Sequence, residues 1–186
     1  LVSLGVKKGD RVGIFSANRV EWSLIDWANI CIGALTVPLY ASSTLAEICR
    51  ILVNSESTML FVDSPERMAK VDPFQSSLRL VKGVILIEPA KERVSVPKPK
   101  VVLSLDQLRE MGRRYAEANG ELFNRLVSSL RPEDDLTIIY TSGTTGEPKG
   151  VLTTHGHYLF MVEASGSAIP STDQEVTLQF LPFAHS

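Results

Sequence analysis

Two short segments, Thr58 to Val62 and Val84 to Ile87, are near-continuous apolar runs with no alternation of apolar and polar positions. A strand with one wet face alternates, so an unbroken run marks a strand covered on both faces. Strands of that kind belong to parallel sheets, whose crossover connections lay helices over each face. The surrounding chain supplies the helices. Asn18 with Glu21 has capping-box spacing, and Leu24, Ile25, Ala28, Cys31, Ile32 and Leu35 fall on one helical face behind it. Thr44 with Glu47 repeats the signal ahead of Leu45, Ile48, Cys49 and Leu52.

Arg11 to Phe15 reads as the first strand and Thr36 to Tyr40 as the second, with Pro38 favouring an edge or strand-end position. The segment PAKERVSVPKPK, Pro89 to Lys100, reads as an exposed connection before a strand at Val101 to Leu103. Helical stretches follow at Asp106 to Ala118 and Glu121 to Leu130, and Leu136 to Tyr140 is a further strand. Thr177 to Leu181 reads as the last one. The expected fold is α/β: a doubly wound, mainly parallel sheet flanked by helices, with ligands beyond the carboxyl ends of the strands.

Net charge is -2, with both signs dispersed, which argues against a nucleic-acid groove. No apolar run reaches the ~18 residues of a membrane span, and LVSLGVKKGDRV lacks the apolar core of a signal peptide. Cys31 and Cys49 have no CxxC or histidine at ligand spacing and are expected to be packed thiols in a reducing, cytoplasmic compartment.

The strand ending at Tyr140 leads into TSGTTGEPKG, with Thr141 expected to begin a loop. Thr141, Ser142, Gly143, Thr144, Thr145 and Gly146 offer hydroxyls, closely spaced N–H donors and glycines where a ligand can approach closely. Such a concavity suits anionic oxygens, and Lys149 adds a mobile cation. Polyphosphate uses both. A Walker A loop needs GxxxxGK followed by Ser or Thr; here Gly143 stands three residues from Gly146, Pro148 precedes the lysine and Gly150 follows it, so that motif fails. A solvated turn is the bland alternative for a cluster of this composition.

The order of residues in YTSGTTGEPKG, Tyr140 to Gly150, resembles the phosphate loop of the adenylate-forming superfamily. GVKKGDRVGIFSANRVEW, GALTVPLYASST, DDLTIIYTSGTTGEPKGVLTTHGH and LPFAHS are similar to the AMP-forming long-chain fatty acid-CoA ligases, with a less characteristic middle from Glu66 to Arg131. The resemblance implies activation of a fatty acid by ATP with magnesium, giving an acyl-adenylate and pyrophosphate, then transfer to coenzyme A. It also implies that Thr141 to Gly146 wrap the β- and γ-phosphates and that Lys149 stabilises the loop or the departing pyrophosphate. His185 in LPFAHS matches a position beside the acyl carboxylate or adenylate. No residue is expected to ligate a metal: His155 and His157 read as capping or surface residues at the start of a helix reaching about Ala168, and the two lie on different helical faces. Tyr140 is expected in the core, and Trp22 and Trp27 in packing or a partner surface.

The superfamily's later adenine, ribose and catalytic-lysine segments are not in the chain. Residues 1–186 are therefore expected to be the N-terminal part of the adenylation domain, without its C-terminal domain, inactive alone and with an apolar face open to self-association. Peripheral membrane contact would suit an enzyme of long-chain acids, although no basic amphipathic helix argues for it. The alternative is a non-catalytic nucleotide- or acyl-binding module that keeps the loop alone.

Overall fold

The computed structural model describes residues 1–71, 79–89, 101–142, 148–169, 172, 174, 176 and 178–185. Strands are β1 (Arg11–Phe15), β2 (Leu35–Leu39), β3 (Met59–Val62), β4 (Gly83–Leu86), β5 (Val101–Ser104), β6 (Asp135–Ser142) and β7 (Pro148–Thr154). Helices are α1 (Val20–Ile32), α2 (Leu45–Asn54), α3 (Pro65–Val71), α4 (Leu105–Ala118), α5 (Leu122–Ser128) and α6 (His155–Ala168). The strands form one sheet in the order β5-β4-β3-β1-β2-β6-β7. Every neighbouring pair is parallel except β6 and β7.

The unbroken apolar strands serve two cores at once. Leu60, Val62, Val84 and Leu86 pack beneath Ile48, Ile51 and Leu52 of α2 and Met68 and Val71 of α3. Their neighbours Met59, Phe61, Ile85 and Ile87 point the other way, into a core with Trp22 and Ile25 of α1 and Leu105 and Leu108 of α4. Successive side chains alternate between faces, so two dry faces demand an apolar residue at every position. Gly13 lets α2 settle closely on β1: a Cβ there would lie 2.9 Å from Leu60 Cδ1 and 3.0 Å from Leu52 Cδ2.

Several elements depart from the sequence expectations. The capping box at Asn18 does not form. Arg19 is the N-cap, with no side-chain cap bond, and its guanidinium pairs with Glu21 and Glu88 at 2.9 Å each. The buried stripe of α1 is Trp22, Ile25 and Asn29, whereas Leu24 is 52% exposed. The stripe carries a polar residue because Asn29 Nδ2 donates to Thr36 Oγ1 at 3.1 Å, which a count of apolar residues alone cannot anticipate. The box at Thr44 and Glu47 does form, with both reciprocal bonds present.

Pro38 sits in an interior strand, buried and paired in register with Ile14 of β1. The N–H of Leu35 faces β1, donating to Asp10 O at 2.8 Å, so by strand alternation the missing N–H of Pro38 faces β6. On that side the β2–β6 register holds only Thr36 opposite Thr137, reinforced by Thr137 Oγ1 donating to Thr36 O at 2.9 Å. The proline is tolerated where the ladder has already lapsed.

Residues 178–181 form no strand, and Leu178 and Phe180 are exposed. Thr177 and the connection over residues 90–100 lie outside the described residues. Cys31 and Cys49 are not joined in a disulfide; Cys31 is half-buried and Cys49 buried. Among the described residues no helix is long and apolar enough to cross a membrane.

Candidate functional site: the β6–β7 hairpin

Thr141 does not begin the loop; β6 runs two residues further than the apolar pattern suggests and turns back as β7. Sequence reasoning missed β7 because it opens with Pro148, Lys149 and Gly150 of the signature, a run that reads as loop. The antiparallel register sets Thr141 opposite Lys149, Ser142 opposite Pro148 and Tyr140 opposite Gly150. Thr141 and Lys149 are both exposed. Gly143, Thr144, Thr145 and Gly146 lie outside the described residues. The described ends of the two strands therefore carry a hydroxyl, Thr141, and an ammonium, Lys149, on facing positions at the carboxyl end of β6.

Tyr140 is buried in the α2-side core, as expected. Its hydroxyl donates to Asn54 Oδ1 at 2.6 Å, and burial raises its pKa above the ordinary tyrosine range. A Cβ on Gly150 would lie 3.1 Å from Tyr140 Cζ and 2.9 Å from Ile138 Cγ2, so the tyrosine ring lies against the glycine.

The hairpin base is clasped separately. His155 N donates to Asp134 O at 3.0 Å and Gly156 N to Pro132 O at 2.8 Å, while Lys8 Nζ pairs with Asp134 at 2.5 Å. Thr154, rather than either histidine, caps α6, accepting from His157 N at 3.3 Å. His155 is half-buried and its Nε2 has no hydrogen-bond partner among the described residues. Burial lowers its pKa, opposed by the charge of Asp134 and aided by that of Lys8.

His185 ends a 3-10 turn, Phe183–His185, that packs against β2, the strand beside β6. Asn18, just past the end of β1, holds this segment: Nδ2 donates to Leu181 O at 2.7 Å, and Oδ1 accepts from Phe183 N at 2.8 Å. The Phe183 ring packs against Trp22 at a tilt of 39°, with ring centroids 5.4 Å apart. Trp22 is thus a packing residue, while Trp27 is exposed. The sequence carried a sign of Asn18, a polar residue at a strand end, but its partners lie 163 and 165 positions away.

Where β2 and β6 part, a cleft of about 140 Å³ opens, lined in part by Trp22, Asp26, Pro38, Thr137, Ile139 and Tyr158. Burial raises the Asp26 pKa, and a hydrogen bond with Thr36 acts against it. Among the described residues no three His, Cys, Asp or Glu side chains converge as a metal site.

The family model described as AMP-binding enzyme matches residues 1–186. The chain is 36% identical to long-chain-fatty-acid-CoA ligase FadD15 of Mycobacterium bovis and to that of Mycobacterium tuberculosis, over 100% of this chain and 29% of each relative. It is 30% identical to the human long-chain-fatty-acid-CoA ligase ACSBG2, over 100% of this chain and 27% of that protein. Among solved structures, the N-terminal domain of FACL13 from Mycobacterium tuberculosis superposes with a TM-score of 0.64 at 24% identity, over 98% of this chain and 40% of that one. The o-succinylbenzoate CoA synthetase MenE from Bacillus subtilis, solved with its acyl-adenylate intermediate, gives 0.63 at 22% identity, over 98% of this chain and 40% of that one. These two likenesses establish the shared fold. The chain spans less than a third of the length of the curated relatives it matches, and it belongs to the AMP-binding enzyme family.

Proposed function

We propose that residues 1–186 supply the N-terminal part of the adenylation domain of an AMP-forming long-chain fatty acid-CoA ligase, and within it the phosphate-binding hairpin. The observation that carries this is the register of β6 against β7, which sets Thr141 across from Lys149 at the flanks of the glycine- and hydroxyl-rich loop. Thr141 to Gly146 would hold the β- and γ-phosphates of ATP through N–H and hydroxyl donors, and Lys149 would neutralise charge on the departing pyrophosphate. The fatty acid carboxylate attacks the α-phosphorus, pyrophosphate leaves, and the thiol of coenzyme A then displaces AMP. His185, on the turn held by Asn18, is assigned to the acyl carboxylate or adenylate.

Hydroxyl, amide and ammonium donors suit a triphosphate and not a bare cation, so magnesium would arrive with the nucleotide. In a full-length ligase containing this region, Lys149→Ala and Gly146→Val are each expected to slow fatty acid-dependent ATP–pyrophosphate exchange by at least about 100-fold, the size of losing one preorganised electrostatic contact. Unchanged exchange with an intact fold would defeat the assignment. The 186-residue chain alone is expected to give no exchange.

A further inference from the structure

The hairpin that carries Thr141 and Lys149 is weakly joined to the sheet. β7 is an edge strand whose only sheet neighbour among the described residues is β6, and β6 meets β2 through the single register pair Thr36 and Thr137. Among the described residues, the carboxyl-terminal half of β6 has no ladder partner on that side. Besides packing of Tyr140 and Ile138 on the α2-side core, a side-chain tether holds it: Tyr140 crosses to α2 and donates its hydroxyl to Asn54 Oδ1 at 2.6 Å.

Both ends of the tether are well placed for the task. Asn54 ends α2, a helix that buries Ile48, Cys49, Ile51 and Leu52. The turn that follows is pinned to β1 by Arg11 Nε donating to Ser55 O at 2.7 Å. At the other end, the Tyr140 ring lies against Gly150, its cross-strand partner. Tyr140 directly precedes Thr141, and Gly150 directly follows Lys149, so one ring touches the pair of positions adjacent to the proposed phosphate contacts. Gly150 is required by this arrangement, since a Cβ would drive into Tyr140 and Ile138.

We infer that Asn54 and Tyr140 are positioning residues: their hydrogen bond sets the angle of the hairpin stems and so presents Thr141 and Lys149 to the triphosphate. The inference rests on the hairpin being the ATP phosphate site, and its test separates the two. In a full-length ligase, amide hydrogen exchange at Thr141, Lys149 and Gly150 would be measured for Tyr140→Phe, Asn54→Leu, Asn54→Asp and the Tyr140→Phe/Asn54→Leu double variant, alongside KM values for ATP and fatty acid.

Tyr140→Phe and Asn54→Leu are each expected to speed stem exchange by about 5- to 10-fold, the scale of one net hydrogen bond, and to raise the KM for ATP while that for fatty acid stays fixed. Asn54→Asp keeps an acceptor oxygen and should restore stem exchange. The double variant should be no worse than either single one, because both remove the same bond. Unchanged stem exchange in Tyr140→Phe, or an equal loss for both substrates with a lowered melting temperature, would overturn the tether. A Lys149→Ala enzyme of undiminished activity would instead remove the phosphate-site reading, and the exchange result would still decide whether the tether exists.

Discussion

Asn18 shows how one amide can replace a strand. It donates to Leu181 and accepts from Phe183, the pattern a neighbouring backbone would offer, and so orders a segment with no ladder of its own. Asn18→Ala is expected to lower stability by about 1–2 kcal/mol through two net hydrogen bonds at a partly solvated site, and to expose the 178–183 segment to protease; Asn18→Asp, which keeps the acceptor alone, should fall between. His155 makes a pH-dependent contribution. Burial depresses its folded pKa below the ordinary 6.5, so the unfolded chain takes up the proton first. Its contribution is fully present above about 6.5 and is lost as pH falls through the depressed folded value. His155→Gln should therefore flatten the fall in stability below that pH, read as denaturation midpoints between about pH 5 and 7. At this scale residue chemistry was legible and partners were not: Tyr140 reads as a core aromatic from its strand, but Asn54 is 86 positions away, and nothing local marks the pair.

Two capping boxes with the same spacing met different fates, and the reason lies in competition for the capping side chain. Thr44 has only its own helix to serve, and it accepts from Glu47 N while Glu47 returns the bond. Asn18 is claimed by the Leu181–Phe183 segment, and Glu21 by Arg19. Thr44→Ala is expected to destabilise the fold by about 1 kcal/mol; Asn18→Ala should act on the distant segment and leave the helicity of α1 unchanged, which circular dichroism would register. The strands β1, β3 and β4 were legible because both their faces are dry and composition alone reveals it. β7 was not, because an edge strand of small and polar residues carries the composition of a turn. The burial of Pro38 escaped for a related reason: whether a strand is interior depends on its neighbours, and the partial β2–β6 ladder leaves room for a missing donor.

At the scale of the whole molecule, the two cores close around β1, β3 and β4, whereas the β7 side stays open. α6 buries none of its residues, although Tyr158, Leu159, Phe160, Met161 and Val162 follow one another along it, with Phe160 71% exposed. Val151 and Leu152 of β7 extend the same exposed apolar character into the hairpin. An apolar face was expected from the resemblance to longer enzymes, but its place on α6 required the structure, because α6 reads from sequence as an ordinary helix. Exposed apolar area beyond a few hundred Å² drives association, and β7, the edge strand among the described residues, lies beside it. The 186-residue chain is therefore expected to self-associate through α6 and β7, seen as a rise in sedimentation coefficient with concentration and as binding of an apolar dye. Phe160→Glu with Val162→Lys should restore a concentration-independent monomer without moving the melting temperature by more than about 3 °C, since exposed positions contribute within about ±0.5 kcal/mol. A wild-type chain that sediments as a monomer at every concentration would place the apolar surface of α6 against its own fold in solution.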